Sequence, residues 1–196
     1  MADSVLSRSA LLLGEEAIAR LKGASVCVVG LGGVGSYAVE ALARAGIGRF
    51  TLIDFDIVGE TNLNRQLFAL RETIGQAKVD LAQRRILAIN PEAKVICHQE
   101  FLDADNRAEL LAEADSFIDA IDSLGPKIGL LEYAVRRELE FVSVMGAGNR
   151  LDPAQVQLTS IKKSHNCPLA RRVRKYLGRR GIKADFPCVW SSELPL

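Results

Sequence analysis

Four glycines, Gly30, Gly32, Gly33 and Gly35, stand in the pattern G-x-G-x-x-G. Glycine permits a tight turn, and the missing side chains let backbone N–H groups approach phosphate oxygens. Asp54 comes 19 residues after Gly35, where a carboxylate can accept hydrogen bonds from ribose hydroxyls. Beyond it, Asn62, Asn64, Arg65 and Gln66 crowd a short polar segment, Lys78 follows, and Asp119 and Asp122 close a later apolar run. Hydride transfer needs little fixed positive charge, whereas a triphosphate with Mg²⁺ needs this inventory. Arg65 and Lys78 would neutralise phosphate oxygens, Asp122 would hold Mg²⁺ directly or through water, and Asn62 and Gln66 would add neutral hydrogen bonds. Each residue also has a plain role open to it. Arg65 and Lys78 can be solvated helix charges, Asp119 and Asp122 can cap a helix, and Asp56 can support its loop. The combination carries the reading.

The elements that must place these groups alternate along the chain. Residues 15–23 read as a short amphipathic helix and SVCVVG as a β-branched strand leading into the glycines. Val34, Ala38, Leu42 and Ala45 fall at helical spacing before the stops Gly46 and Gly48, and RFTLID is a second strand. Residues 55–75 lack periodicity and form a connection with a helical turn. The spacing then predicts a helix closed by Asn90-Pro91, strand KVICHQ, helix DNRAELLAEA, strand DSFIDAID, helix LGPKIGLLEYAVRREL and strand EFVSVMG. QVQLTSI and FPCVW read as strands around the helix PLARRVRKYLGRRG. Such alternation predicts an α/β fold: a Rossmann-like, doubly wound, mostly parallel sheet with helices on both faces. The boundary falls near residue 150, giving a nucleotide-binding domain over 1–150 and a C-terminal extension over 151–196 packed on it.

Charge is unevenly distributed. The net charge of +1 combines nine Lys or Arg and no acidic residue in 162–183, 16 basic and 22 acidic residues in 1–161, and two acidic residues in 184–196. A basic segment on an otherwise acidic chain points to a polyanionic partner. Arg171, Arg172, Arg174, Lys175, Arg179 and Arg180 crowd one predicted helix and its end, with Lys162, Lys163 and Lys183 flanking them. Like charges at i,i+3 and i,i+4 cost helix stability, which an anionic partner relieves. Tyr176 either stacks on a base or faces the core. The four cysteines form no CxxC pair, so a four-cysteine zinc site is unsupported, and Cys27 reads as core. His98 and His165 read as incidental. No apolar run approaches the ~18 residues of a membrane span, and the N-terminus lacks a secretory pattern, so the expected location is cytoplasmic.

The motifs GLGGVGS, LIDFD, N-L-N-R-Q, G-Q-x-K and D-A-I-D, with their spacing, resemble the ubiquitin-activating E1-like (ThiF/MoeB/HesA) superfamily. In that superfamily a carboxylate attacks the α-phosphate of Mg-ATP to form an acyl-adenylate. The resemblance implies that Gly30, Gly32, Gly33, Gly35 and Asp54 hold the nucleotide. It implies that Asn62, Arg65, Gln66 and Lys78 contact the phosphates and that Asp122 contacts magnesium, with Arg65, Lys78 and Asp122 carrying catalysis. A substrate carboxylate is already ionised at neutral pH, so adenylation needs no general base. The barrier is repulsion between two anions, which fixed cations and positioning lower.

The N-terminal GEEAIARLKGASVCVVGLGGVGSYAVEALARAGIG, D-A-I-D-S-x-x-P-K, G-A-G-x-x-x-D-P and P-L-A-R-R-V-R resemble the tRNA threonylcarbamoyladenosine dehydratase (TcdA/CsdL) branch through nearly the whole chain. That resemblance implies ATP-dependent cyclisation of N6-threonylcarbamoyladenosine in tRNA, with release of AMP and pyrophosphate, in a homodimer. The alternative is adenylation of a ubiquitin-like or sulfur-carrier protein, and a more distant one is an NAD-dependent oxidoreductase. Three features depart from the pattern. The arginine that reaches the partner subunit's ATP has no clear match, Arg8 being offset from it. Family members continue past the last strand, which suggests that 151–196 is truncated. Cys167 and Cys188 stand where a sulfur acceptor is conceivable, although cyclisation needs none.

Overall fold

The computed structural model describes residues 5–183 and 185–196. In chain order the elements are α1 (Ser7–Leu13), α2 (Glu15–Gly23), β1 (Ser25–Val29), α3 (Gly35–Ala45), β2 (Arg49–Ile53), α4 (Lys78–Ile89), β3 (Lys94–His98), α5 (Arg107–Leu110), β4 (Ser116–Asp119), α6 (Leu124–Arg136), β5 (Phe141–Val144), β6 (Val156–Ser160), α7 (Pro168–Arg179) and β7 (Pro187–Ser191). The strands form one seven-stranded sheet in the order β3-β2-β1-β4-β5-β7-β6. Every pairing is parallel except β6 with β7.

The residues explain this order. The run Ser25–Val29 is buried along its whole length, as a central strand covered on both faces requires. Alternate residues of β1 serve two cores. Val26 and Val28 join Phe50, Leu52, Val39, Ala82 and Ile86 under α3 and α4. Cys27 and Val29 join Phe117, Phe141, Leu131, Val173 and Leu177 under α6 and α7. Cys27 is therefore core, and burial pushes its thiol up to about 12. α3 stops at Gly46, which takes the left-handed φ of 92° while its N–H and that of Ile47 satisfy carbonyls of the last turn.

The chain steps outward from β1 through β2 to β3, returns, and builds β4 and β5 on the other side. The winding thus reverses between β1 and β4, the place where open α/β sheets bind ligands. Residues of the C-terminal extension enter the same sheet, because β7 pairs with β5 and carries β6 at the edge. Among the described residues no helix is long and apolar enough to cross a membrane.

Four details differ from the sequence expectations. α1 has no periodic signal and buries no residue. The helix expected over DNRAELLAEA shrinks to Arg107–Leu110. β4 stops at Asp119, not Asp122, because the Asp119 side chain turns into the core and the chain leaves the sheet behind it. The final strand runs to Ser191. The connection over 55–75 contains two single 3-10 turns, Glu60–Asn62 and Arg71–Thr73.

Candidate functional site

The glycine turn leaves β1 at the reversal point and folds onto itself. Gly30 has φ 91°, and its N–H donates to Ile53 O at 2.8 Å, so the turn stays tied to β2. A Cβ on Gly30 would lie 2.9 Å from Ala120 O, and one on Gly35 would overlap Gly30 O. Both positions therefore require glycine, and the turn presses against the loop that follows β4. Gly32 O accepts the N–H of Ser36 at 3.1 Å and its hydroxyl at 2.7 Å. The same hydroxyl accepts the Leu67 N–H at 3.1 Å, tying the polar segment to the start of α3.

That segment sits over the glycines. A Cβ on Gly33 would be 3.3 Å from Arg65 Cγ, and one on Gly32 would be 3.8 Å from Gln66 Nε2. Arg65 is exposed and anchors one guanidinium nitrogen on Thr61 O and Asn64 Oδ1, at 2.8 and 2.9 Å. Gln66 is buried, and Asn62 accepts the Gly59 N–H, which braces the loop from within.

Asp54, expected as a ribose acceptor, directly follows β2. It is buried, and its two oxygens accept the N–H groups of Leu31 and Asp56 at 2.6 and 2.8 Å. Burial raises its carboxyl above the ordinary 3.8, although the two amide bonds and the charge of Lys78 pull the other way. These two bonds brace the glycine turn, and each oxygen, having taken one N–H, keeps a lone pair for a further donor. Lys78 opens α4 and is buried, with its ammonium 2.7 Å from Asp56 Oδ2, while its N–H donates to Asp56 O.

Asp122 is exposed in the loop after β4, two residues past the Ala120 that packs on Gly30 and Gly35, and it accepts the Ser123 hydroxyl at 3.2 Å. Asp119 is fully buried and bound to Lys127 and Ser143. The structure thus brings together the glycine turn, Arg65, Gln66, the Asp54–Lys78 cluster and the Asp122 loop. Among the described residues no group of three His, Cys, Asp or Glu could by itself hold a metal. A single exposed carboxylate suits Mg²⁺, which retains waters and takes its other ligands from phosphates. A cleft of about 430 Å³ opens between Phe101, Leu102 and Arg107 on one side and Gly125, Pro126 and Gly129 of α6 on the other. Phe101 meets Phe55 edge to face at 5.3 Å, and both rings are exposed. A second cleft of about 400 Å³, walled by Val144, Leu151, Val156 and Val189, lies away from the glycine turn.

Sequence reasoning overlooked Ser36, Phe55, Phe101 and Lys127. Lys127 stands inside the quoted D-A-I-D-S-x-x-P-K, so its position was visible although its burial was not.

The basic helix buries Ala170, Val173 and Leu177 and turns Arg171, Arg172, Lys175 and Arg179 to solvent. Arg174 instead donates to Ile161 O at 3.2 Å and to the Ser164 hydroxyl, and Arg180 pairs with Glu132 of α6. Two of the six expected contacts are thereby engaged within the fold. Tyr176 is partly exposed beneath the Arg179 guanidinium, 5.4 Å from its ring centroid. Cys167 is buried as the cap of α7, accepting the Ala170 N–H, and Cys188 is fully buried with its thiol pushed up to about 11, chiefly by burial. Neither suits a sulfur acceptor. His165 packs edge-on against Trp190. Arg8 lies exposed on α1.

The chain is 44% identical over 191 residues to the tRNA threonylcarbamoyladenosine dehydratase of Bacillus subtilis, covering 97% of this chain and 75% of that protein. It is 45% identical over 186 residues to the enzyme of the same name from Escherichia coli, covering 94% and 68%. A solved structure of the E. coli enzyme, TcdA, in complex with ATP superimposes with a TM-score of 0.94 at 42% identity, covering 97% of this chain and 82% of that one. The model of the ThiF family matches residues 6–183, and the chain belongs to that family.

Proposed function

We propose that this protein is an ATP-dependent tRNA threonylcarbamoyladenosine dehydratase. The observation that carries the proposal is the packing of the Arg65 side-chain stem over Gly33, which brings a cation-bearing side chain to a phosphate-binding turn. The likeness to the E. coli enzyme with bound ATP supports it. The triphosphate lies along the glycine turn, with the backbone N–H groups of Gly32 and Gly33 and the α3 N-terminus facing its oxygens. Arg65 and Lys78 lower the repulsion between the nucleotide and the incoming carboxylate. Asn62 and Gln66 fix the phosphates by neutral hydrogen bonds. Adenine enters the cleft beside Phe101 and Leu102. Asp122 would hold Mg²⁺, which when bound neutralises phosphate charge.

The threonyl carboxylate oxygen attacks the α-phosphorus and pyrophosphate leaves. The urea nitrogen bonded to the adenine ring then attacks the acyl carbon, the acyl–oxygen bond breaks, AMP leaves carrying the former carboxylate oxygen, the nitrogen's proton passes to solvent and the ring closes. The water formally lost is accounted for by the cleavage of ATP. Positioning does most of this work, since neither step needs a nucleophile from the protein.

The tRNA backbone lies along Arg171, Arg172, Lys175 and Arg179. Phosphate contacts of this kind give affinity and salt dependence without base specificity. A second copy of the chain covers the exposed Val5, Leu11 and Leu12 at α1, and the assembly works in the cytoplasm.

The test is mass spectrometry of nucleosides after incubation with ATP and modified tRNA. The expected product is lighter than the substrate by one water and forms only with ATP. Pyrophosphate exchange that responds to a small carrier protein but not to modified tRNA would instead select the protein-adenylating alternative. Asp122→Ala is expected to abolish Mg-ATP turnover with an unchanged melting temperature; turnover at the wild-type rate removes Asp122 from the site.

A further inference from the structure

Lys127 is a fully buried ammonium outside the set of residues assigned to the nucleotide. It enters from α6 with its side chain at 0% exposure, and its Nζ lies 2.7 Å from Asp119 Oδ2, itself at 0%. The same ammonium donates to Ile121 O at 2.9 Å. Asp119 also accepts the Ile121 N–H at 3.1 Å and the Ser143 hydroxyl at 2.6 Å. The network therefore clamps both the amide and the carbonyl of Ile121, and ties the clamp to β5 through Ser143.

Ile121 stands between Ala120 and Asp122. Ala120 O is the backbone atom that a Cβ on Gly30 would meet at 2.9 Å, and Ala120 Cβ is 3.5 Å from where one on Gly35 would lie. Fixing Ile121 thus fixes two things: the wall against which the glycine turn is shaped, and the base of the Asp122 side chain. Burying an ion pair is poor value for stability, since matched neutral groups of similar shape often fold as well or better. Retention of the pair at this place calls for another reason.

We propose that Lys127, through Asp119 and Ile121, is a positioning residue for the nucleotide site, holding the Asp122 loop and the glycine turn in register without touching the ligand. The proposal rests on the nucleotide reading of that site, but one of its readouts needs no ligand. The clamp works by geometry, so removing it frees a loop while leaving the two cores intact.

The test compares wild type with the paired variant Asp119→Asn/Lys127→Met, which removes both charges together and keeps unbranched side chains of nearly the same length. Hydrogen exchange in the absence of nucleotide reads the loop directly. Amide exchange across residues 120–123 is expected to quicken by on the order of tenfold or more, with the melting temperature near wild type. ATP titration is expected to show a dissociation constant raised by on the order of tenfold, and tRNA affinity at α7 is expected to be unchanged. A folded paired variant with wild-type exchange at 120–123 and wild-type ATP affinity overturns the proposal. Should the paired variant fail to fold, Ser143→Ala removes only the 2.6 Å bond to Asp119. It is expected to quicken the same amides by a smaller factor, and unchanged exchange there also overturns the proposal. If wild type itself binds no ATP, the nucleotide reading fails while exchange at 120–123 still decides whether Lys127 holds the loop.

Discussion

Asp54→Asn distinguishes a brace from a ligand contact. In the folded protein Asp54 Oδ2 receives the Leu31 N–H at 2.6 Å and Oδ1 receives the Asp56 N–H at 2.8 Å. An asparagine offers one oxygen and one NH₂, so only one of these donors keeps an acceptor. Leu31 is almost fully buried and Asp56 is not, so the amide oxygen turns toward Leu31 and the NH₂ confronts the Asp56 N–H. The first bond then loses its charge assistance and the second is lost, which together cost about 2–4 kcal/mol. For a chain of this size that is a fall in melting temperature of roughly 5–15 °C. Denaturant unfolding without nucleotide measures the loss, and ATP titration measures the effect on the site. If Asp54 served only as a ribose acceptor, the variant would bind ATP less tightly and unfold at the wild-type midpoint, and that result would refute the bracing argument. The pH dependence gives a second check. Burial raises the folded carboxyl above its unfolded 3.8, so this group binds its proton more tightly when folded. Its contribution to stability falls as pH rises through the window above 3.8, and Asp54→Asn is expected to remove that slope.

Other substitutions probe the remaining links. Gly35→Ala places a Cβ within Gly30 O, so a loss of about 3 kcal/mol and of measurable ATP binding is expected by unfolding and titration. Gly178→Ala meets nothing within 4 Å on α7 and is expected to stabilise by up to about 1 kcal/mol. Glu40 joins α3 to α4 through Arg85, whose paired hydrogen bonds hold its carboxyl down at about 2, with Arg44 adding to the effect. Glu40→Gln is expected to cost ~0.5–1 kcal/mol near neutrality. The wild-type advantage is fully present above pH 4.5 and lost as pH falls through about 2, which acid denaturation followed by circular dichroism checks. Reversing Arg171, Arg172 and Lys175 to Glu is expected to weaken tRNA binding and to flatten the logarithmic salt slope by about two to three units. Filter binding across a salt series showing the wild-type slope would remove α7 from the interface.

The parts of the site legible in the sequence were those encoded by local chemistry. The G-x-G-x-x-G spacing, the β-branched run before it and the acid after the second strand lie within thirty residues and specify one βαβ unit. Strand alternation was legible for the same reason, since burial on two faces leaves nearly continuous apolar runs. Long-range partners were harder to see. Asp119 and Asp122 are chemically identical and three residues apart, yet one faces Lys127 and Ser143 in the core and the other faces solvent. Only the return of β5 beside β4 brings Ser143 to Asp119, and no local pattern announces it. α1 escaped because it buries nothing, so no period was written into it.

The same division applies to the basic helix. A count of charges treats six cations on one helix as equivalent, but a helix that packs on one side must point some of them inward. Ala170, Val173 and Leu177 set the buried stripe, and Arg174 lies beside it, where its guanidinium finds Ile161 O and the Ser164 hydroxyl. Arg180, at the end of the helix, closes onto Glu132, and its own carbonyl accepts from Arg136. These two lock α7 to the body of the domain, and a cation already bonded to the fold must break that bond before neutralising a phosphate. Among the described residues Arg171, Arg172, Lys175 and Arg179 have no such bond to break, and Arg179 is further oriented by the Tyr176 ring. The exposed basic face is therefore four charges on a helix held in place by two, and on the proposed tRNA contact reversal of Arg180 is expected to lower stability more than it changes the salt slope, and reversal of Arg171 the opposite.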